Sequence, residues 1–352
     1  MTEEVVCRVE GRVGRITLNR PGALHALTTG MVDAMTAALL AWRADPSVLA
    51  VLIDHAGERG FCAGGDIRFL ARSAAEGGEE ACAFFYREYQ LNHLLMVYPK
   101  PRVAIMDGVT MGGGVGLALP ATWRIATERT RLAMPETSIG LFPDVGGGWH
   151  LSRLPGRTGV WLALTGARLA ASDCLALGLA THHVPSQDLE ALKAEICARP
   201  DDLAAILARR HTEPPGPAPI RALRPEIDRL YGGRTLEAIR AALAADGGEF
   251  ARAELALLDV RSPLSLKTAL RQVDEGATMA SFADEMRQEM RIGARIVMSH
   301  DFSEGVRAVI LDKDNAPRWS PATPEAVDAA MLDAVFAPLP PDREWTPLPA
   351  LD

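Results

Sequence analysis

Two carboxylic acids in one short segment carry the strongest chemical signal of this sequence. Glu136 and Asp144 lie eight residues apart, and each directly follows a proline. The prolines, and the three glycines at 146–148, disfavour a helix here and favour a loop of fixed course. Two neighbouring carboxyl groups shift each other's pKa, so that one can serve as an acid and the other as a base. The plain alternative is solvated surface charge, since Asp and Glu are mostly exposed in proteins.

Two glycine-rich segments offer a second kind of chemistry. The segments 61–66 (FCAGGD) and 111–116 (MGGGVG) each follow a strand-like run and precede a helix-like one. Backbone N–H groups at the start of a helix lack partners within it, and glycine lets a ligand approach them. Two such groups aimed at one point would stabilise an oxyanion or hold a phosphate. Neither GxxxxGK nor GxGxxG occurs, so a phosphate site lacks its usual companions, and a tight turn or close packing remains an alternative.

The glycine segments resemble the paired oxyanion-hole segments of the enoyl-CoA hydratase/isomerase (crotonase) superfamily. Segment 134–148 (MPETSIGLFPDVGGG) resembles the matching loop of the 3-hydroxyisobutyryl-CoA hydrolase branch. The resemblance extends from residue 15 to residue 184 and returns at 262–272 and 301–314. It implies that two glycine N–H groups hold the oxygen of an acyl-CoA thioester, and that the glycine before each also binds substrate. By position, the donors are Gly65 and Gly113, and the preceding residues are Gly64 and Gly112.

The acids decide which reaction the resemblance implies. Hydratases of this superfamily use two glutamates, of which the second matches Glu136, but Gly116 stands at the place of the first. Hydratases usually carry glycine at the position of Asp144, where the hydrolases carry aspartate. The resemblance therefore implies thioester hydrolysis, with Glu136 either activating water as a general base or attacking the carbonyl itself. Asp144 would orient a 3-hydroxyl group of the substrate or share proton transfer with Glu136.

Glu88 is a further candidate for substrate binding. It lies in 84–89 (FFYREY), which resembles a helix of the hydrolases whose matching glutamate lines the substrate pocket. An ordinary glutamate on a helix surface is the alternative. Arg20, His25 and Lys313 are candidate partners for the phosphates of coenzyme A, with plain surface residues as the alternative.

Other conspicuous residues are expected to be structural. Asp66 stands where it would cap a helix, and Cys62 is predicted to be a small core residue. His182 and His183 lack the HExxH context, so no metal site is expected. The five cysteines are odd in number and contain no CxxC pair, which argues against disulfide or zinc frameworks and favours a cytoplasmic location.

The elements that must position these residues alternate between strand and helix through the first half of the chain. The patterns predict a hairpin at 5–19, a helix at 29–43, and strands at 49–53, 102–106, 123–126 and 131–134. Such alternation is typical of an α/β fold with crossover connections. Beyond about residue 185 the helical period dominates, with a breaker cluster at 213–219, helices at 263–274 and 282–299, and a proline-rich tail at 338–348.

The resemblance implies a crotonase-type (ClpP/crotonase) spiral of ββα units. It divides the chain into an acyl-CoA-binding catalytic core at 1–210 and a mainly helical C-terminal lobe at 211–352 that closes the active site. The 352 residues, 48% of them hydrophobic, are enough to bury a sizeable core. A net charge of −8 argues against general binding of nucleic acid or anionic membranes, and no run of 18 apolar residues occurs.

The sequence thus predicts an acyl-CoA thioester hydrolase. The simplest substrate is 3-hydroxyisobutyryl-CoA, as in valine breakdown, and 3-hydroxypropionyl-CoA is a second candidate. The alternatives are a hydratase or isomerase acting on another acyl-CoA, and a non-catalytic acyl-CoA-binding protein. We expect no metal or redox cofactor, since coenzyme A arrives as part of the substrate, and the chain is a possible homo-oligomer.

Overall fold

The computed structural model describes residues 3–349, in which strands and helices alternate as the α/β prediction requires. The strands are β1 (Val5–Glu10), β2 (Val13–Leu18), β3 (Ala50–His55), β4 (Gly60–Cys62), β5 (Arg102–Met106), β6 (Val109–Met111), β7 (Trp123–Ala126), β8 (Arg131–Ala133) and β9 (His182–His183). The α-helices of the first half are α1 (Thr29–Ala44), α2 (Ile67–Ala75), α3 (Glu79–Met96), α4 (Gly113–Ala118), α5 (Gly147–Ser152), α6 (Thr158–Thr165) and α7 (Ala171–Ala176). Those of the second half are α8 (Leu189–Ala198), α9 (Leu203–Arg210), α10 (Pro219–Leu230), α11 (Leu236–Asp246), α12 (Glu249–Asp259), α13 (Pro263–Gly276), α14 (Phe282–Ile296), α15 (His300–Val306) and α16 (Ala329–Phe336).

Successive strands join two different sheets. A six-stranded sheet has the order β1-β2-β3-β5-β7-β9, and a three-stranded sheet has the order β4-β6-β8. The hairpin predicted at 5–19 is confirmed as the antiparallel β1–β2 pair, and the other strand pairs of the described chain are parallel. From β3 onward, one strand joins the six-stranded sheet, the next joins the three-stranded sheet, and a helical segment follows. This is the predicted ββα repeat, and each repeat contributes one strand to the small sheet.

The predicted strands and helices of the first half are confirmed within a residue or two. Every residue of β3 and β5 is buried, as expected for short apolar runs covered on both faces of a parallel sheet. The helix predicted at 29–43 is α1, which begins where the Thr28 hydroxyl accepts a hydrogen bond from the N–H of Met31. Local sequence signals and tertiary packing therefore agree in this part of the chain.

Within the described residues, the chain from Leu189 onward forms only helices and connecting segments. Ser262 and Ser281 cap α13 and α14 as predicted, but α14 ends at Ile296, earlier than the predicted 299. One continuous hydrophobic core includes side chains from both sides of residue 210. The division into two domains at 210/211 therefore stays a prediction. The first residues of the predicted core, 1–2, and the last residues of the predicted lobe, 350–352, lie outside the described part of the chain.

The proline-rich tail is held against α3. The side chain of Trp345 is fully buried, and its indole N–H donates a 3.1 Å hydrogen bond to the carbonyl of Tyr86. The hydroxyls of Tyr86 and Thr346 lie 3.0 Å apart beside it. The tail is thus anchored by one large aromatic residue. None of the helices within residues 3–349 has the length and apolar character that crossing a membrane requires.

We predict that Trp345→Ala lowers the free energy of unfolding by about 3–5 kcal/mol, because it empties a fully buried site. Urea denaturation followed by circular dichroism measures the change. Val260→Ala is the control, since Val260 is 55% exposed and surface substitutions stay within about 0.5 kcal/mol. Equal effects of the two substitutions would contradict the anchoring role of Trp345.

Candidate active site

Three parallel strand ends bring the functional segments together. In the small sheet, Cys62 of β4 pairs with Thr110 of β6, and Met111 of β6 pairs with Ala133 of β8. The carboxyl ends of these strands therefore lie side by side at one edge. The chain that leaves them contains the two glycine segments and the acid-bearing segment 134–148. One short sheet thus gathers groups that are far apart in the sequence.

All the predicted site residues line one cavity of about 360 Å³. They are Gly64, Gly65, Glu88, Gly112, Gly113, Glu136 and Asp144. Most of the remaining wall is apolar, and it includes Ile67, Leu70, Phe84, Phe85, Met111, Ile139, Leu141, Val309 and Ile310. A concave, largely apolar wall with a few polar groups is typical of a small-molecule site. Val309 and Ile310 belong to a π-helical turn, Arg307–Leu311, so the C-terminal half of the chain contributes to this wall.

The two glycine segments approach each other through their backbones. A Cβ atom added to Gly64 would lie 3.4 Å from the nitrogen of Gly113, and one added to Gly112 would lie 3.3 Å from the Cα of Gly64. Gly64 has a φ of +108°, which residues with side chains rarely adopt. Gly113 is the first residue of α4, so its N–H has no carbonyl partner within that helix. Both predicted donors, Gly65 and Gly113, therefore stand at the same wall.

Glu136 enters the cavity from a short turn. It follows Pro135 and begins the 3-10 helix Glu136–Ile139. Its Oε1 lies 3.2 Å from the point where a Cβ of Gly112 would stand, and its Oε2 has no hydrogen-bond partner among the described residues. Burial and then the charge of Asp144 raise the pKa of Glu136 well above its ordinary value. The loop prediction for 134–148 is wrong in one detail, because the last two glycines already begin α5.

Asp144 is buried and is held by a tyrosine. The hydroxyl of Tyr89 donates a 2.9 Å hydrogen bond to its Oδ2. Burial raises the pKa of Asp144 to about 7, and the hydrogen bond from Tyr89 opposes that rise. The next residue, Val145, has a φ of +54°, an outlier for a β-branched side chain. Such strain persists only where the surroundings fix the backbone, and it is often found at functional sites.

Glu88 lies in the cavity and not on the surface. Its side chain is buried, and its Oε1 lies 2.5 Å from the point where a Cβ of Gly113 would stand. That oxygen has no hydrogen-bond partner among the described residues. Burial and then the charge of Asp144 raise the pKa of Glu88 well above its ordinary value. Three acids, none more than 6% exposed, therefore share this cavity with the two glycine backbones.

The position of Gly116 has no room for a side chain. A Cβ atom there would lie 2.6 Å from the Cβ of Val145 and 2.7 Å from the Nδ2 of Asn92. Real Cβ atoms do not approach other atoms so closely. Glycine at 116 is therefore a packing requirement of the segment that carries Asp144, and the first of the two hydratase glutamates does not fit at this position.

Several residues in or beside the cavity were not found from the sequence. Tyr89 binds Asp144 and follows Glu88 on α3. Consecutive helix residues point in different directions, so the motif gave no reason to expect both at the site. Ser138 and Arg168 line the cavity itself. Among the described lining residues Arg168 is the only cation, and its side chain is exposed. Its signal in the sequence, a lone arginine two residues after Gly166, is too weak to be noticed.

Some secondary candidates have structural tasks. His25 is buried, and its ring nitrogens are occupied by the N–H of Arg20 at 2.9 Å and the carbonyl of Ala56 at 2.9 Å. It is therefore neither a surface residue nor free for a phosphate. Asp66 caps α2 as predicted, accepting from the N–H of Phe69 at 3.2 Å. Cys62 is a buried core residue as predicted, and burial raises the pKa of its thiol to about 12.

Comparison with known proteins gives one consistent family. Residues 13–336 match a family model described as enoyl-CoA hydratase/isomerase. A mitochondrial 3-hydroxyisobutyryl-CoA hydrolase from Danio rerio is 42% identical over 344 residues, which are 96% of this chain and 90% of that protein. The Homo sapiens protein of the same name is 41% identical over 345 residues, which are 96% of this chain and 89% of that protein.

Solved structures share the same fold. A carnitinyl-CoA dehydratase from Mycobacterium thermoresistibile aligns with a TM-score of 0.92 at 44% identity, covering 98% of this chain and 99% of that one. An enoyl-CoA hydratase from Rhodobacter sphaeroides aligns with a TM-score of 0.87 at 41% identity, covering 97% and 99%. The crotonase-type fold is thereby confirmed. Some of these similar proteins are named for thioester hydrolysis, and others are named for the addition or removal of water.

We predict that the carboxyl group of Asp144 loses its proton near pH 7, because burial disfavours its charged form. Infrared spectra of the wild type and of Asp144→Asn are recorded over a range of pH. The difference between the two spectra isolates the carboxylic-acid band of Asp144. In the matched pair with Glu128→Gln, the band of Glu128 should vanish below the pH at which an ordinary glutamic acid loses its proton. Burial raises the pKa of Glu128, but the hydrogen bonds from Ser186 and the charge of Arg129 together lower it by more. An Asp144 band lost near pH 4, the ordinary range of an aspartic acid, would contradict the burial argument.

Proposed function

The chain belongs to the enoyl-CoA hydratase/isomerase family, and within it we propose that the protein is a thioester hydrolase that converts 3-hydroxyisobutyryl-CoA and water into 3-hydroxyisobutyrate and free CoA. The observation that carries this proposal is the placement of Glu136 and Asp144 in one cavity, together with a position 116 that has no room for the other hydratase glutamate. The relatives named as 3-hydroxyisobutyryl-CoA hydrolases, at 40–42% identity over nearly the whole chain, support the same reaction.

The two glycine N–H groups form the oxyanion site of this proposal. Gly65 and Gly113 donate to the thioester oxygen as it gains negative charge, and Gly64 and Gly112 leave space for the acyl group to approach the backbone. Such donors act strongly in a cavity from which water is largely excluded, and the loss of one donor typically lowers the rate by about 10²–10³. The apolar wall excludes bulk water from the reacting carbonyl.

Glu136 is the base of the reaction. It takes a proton from a water molecule, the water oxygen bonds to the thioester carbon, and the carbon–sulfur bond breaks as the CoA thiolate leaves and is protonated. Because Glu136 and Asp144 interact, the proton that the pair carries can reside on either residue. The reactive arrangement places it on Asp144 and leaves Glu136 ionised. A raised pKa makes Glu136 a better base near neutral pH than an exposed glutamate.

Glu88 and Asp144 are suited to bind a hydroxyl group. The Oε1 atom of Glu88 is buried and has no partner among the described residues, which costs about 1–3 kcal/mol for a polar group. A 3-hydroxyl group on the acyl chain would supply the missing hydrogen bond. Sites built to bind a hydroxyl discriminate strongly against analogues that lack one. This argument favours 3-hydroxyacyl-CoA substrates over plain acyl-CoA.

The proposal needs no metal or redox cofactor, since water is the second substrate and coenzyme A belongs to the first. The polar end of the coenzyme would meet Arg168, the exposed cation of the cavity wall. A cytoplasmic location and a homo-oligomeric state stay predictions; the relatives named above are described as mitochondrial proteins.

We predict that the wild type releases free thiol from 3-hydroxyisobutyryl-CoA and that Glu136→Gln lowers kcat by about 10²–10⁴, because the amide cannot take the proton from water. A thiol-reactive dye measures the release, and circular dichroism checks the fold. Glu190→Gln is the control, because the side chain of Glu190 is 83% exposed and remote from the cavity lining. Unchanged turnover in Glu136→Gln would remove this residue from the mechanism.

Hydration is the competing reaction, and Gly116 tests it. We predict that Gly116→Ala lowers the free energy of unfolding by about 1–3 kcal/mol through overpacking against Val145 and Asn92. Gly22→Ala is the matched control, since a Cβ there meets nothing within 4 Å. Chemical denaturation measures both. A Gly116→Ala protein as stable as Gly22→Ala would show that position 116 accepts a side chain and would restore hydration as a candidate.

A further inference from the structure

Two helices of the C-terminal half form hydrogen bonds to the backbone on both sides of Asp144. On one side, the Nε2 of Gln272 in α13 donates to the carbonyl oxygen of Pro143 at 2.9 Å. On the other side, the N–H of Gly146 donates to both carboxyl oxygens of Glu289 in α14, at 3.0 and 2.9 Å. The catalytic acid therefore sits between two hydrogen bonds to residues more than 120 positions away in the chain.

The side chains that form these hydrogen bonds belong to one buried network. Gln272 and Glu289 are completely buried, and the Nε2 of Gln272 also lies 3.1 Å from the Oε1 of Glu289. A second buried acid, Glu285, has its Oε1 atom 3.3 Å from the same Nε2 atom. Its Oε1 stands 2.1 Å from the point where a Cβ of Gly148 would be, so glycine is required there. Three backbone positions of the segment that carries Asp144 are thus in contact with this network.

Stability alone does not account for such a network. Replacing buried charged or polar groups by apolar residues of similar volume is often neutral or stabilising. Burial, then the charge of Glu285, then that of Asp144 raise the pKa of Glu289 well above its ordinary value, so its charged form is disfavoured where it stands. The adjoining Val145 is held in a strained conformation, which requires surroundings that over-determine the backbone. The network supplies that constraint at the place where the strain occurs.

The network and the catalytic cavity meet at Asp144 from opposite directions. Tyr89 of α3 binds the carboxyl group itself, whereas Gln272 and Glu289 bind the backbone before and after it. Proton transfer between Asp144 and its partners requires heavy-atom distances of about 2.6–3.2 Å. A misplacement of about 1 Å can cost 10²-fold in rate. The carboxyl group is therefore oriented both by the hydrogen bond from Tyr89 and by the position of the backbone that carries it.

We propose that Gln272 and Glu289 are positioning residues that fix the backbone of Pro143 and Gly146 and so aim Asp144 at the substrate. This inference rests on the hydrolase function proposed above. It makes the second half of the chain a working part of the active site, because that half sets the geometry of a catalytic acid besides contributing to the cavity wall.

The test compares an apolar and a conservative substitution at residue 289. Glu289→Leu removes the acceptor of the Gly146 N–H and should lower kcat for 3-hydroxyisobutyryl-CoA by about 10²-fold, with KM changed little because the cavity wall is intact. Glu289→Gln keeps an acceptor oxygen and should restore kcat to within about tenfold of the wild type. Glu254→Leu is the control. This half-buried glutamate accepts hydrogen bonds from Trp161 and Tyr231, which do not line the cavity, so its loss should lower stability but not kcat.

A second variant covers the case in which Glu289→Leu does not fold. Gln272→Met has similar length and cannot donate to Pro143, and it should lower kcat with KM nearly unchanged. Wild-type kcat in Gln272→Met or Glu289→Leu would overturn the inference, as would an equal loss in Glu289→Gln and Glu289→Leu. If the wild type itself releases no thiol, the hydrolase proposal fails. The positioning role is then judged from the infrared carboxyl band of Asp144, which should shift in Glu289→Leu and stay unchanged in Glu254→Leu.

Discussion

The parallel register of three short strands decides where the two glycine segments and the segment with Glu136 and Asp144 lie. β4, β6 and β8 end at the same edge of a small sheet, and the chain leaves each of them directly into a site segment. Glycine is favoured at position 64 because its φ of +108° is one that residues with side chains rarely adopt, and the backbones of the two glycine segments approach each other there. The paired N–H groups and the acids Glu136 and Asp144 are brought together by that convergence.

The second constraint is the burial of acids in an apolar cavity. Glu88, Glu136 and Asp144 lie in a wall that contains a single cation, Arg168, among its described residues. Such a site is costly for folding, because burial opposes the ionisation of acids. It is useful for chemistry, because a raised pKa lets an acid exchange protons near neutral pH. Because the folded-state pKa of Asp144 is raised, its contribution to stability is full at low pH and falls as the pH rises toward 7.

Much of the site could be predicted from the sequence because its signals are local. Paired prolines before Glu136 and Asp144, and glycines at strand ends, are visible in a few residues, and the predicted hairpin and capped helices rest on equally short patterns. Tyr89, Gln272 and Glu289 could not be predicted in the same way. Their roles arise from the packing of α3, α13 and α14 onto the segment that carries Asp144. The spacing of nearby residues in the sequence does not indicate which distant helix packs against that segment. The helical start at Gly147 was missed for the same reason, since glycine does not favour helix without such packing.

The central claim is that the cavity breaks a thioester and does not add or remove water across a double bond. 3-Hydroxyisobutyryl-CoA distinguishes the two reactions in a single incubation, since hydrolysis and dehydration of this substrate give different products. In water labelled with heavy oxygen, mass spectrometry should find free CoA and 3-hydroxyisobutyrate with one heavy oxygen in its carboxylate. Formation of the 2,3-unsaturated thioester, with coenzyme A still attached and no free thiol, would contradict the account.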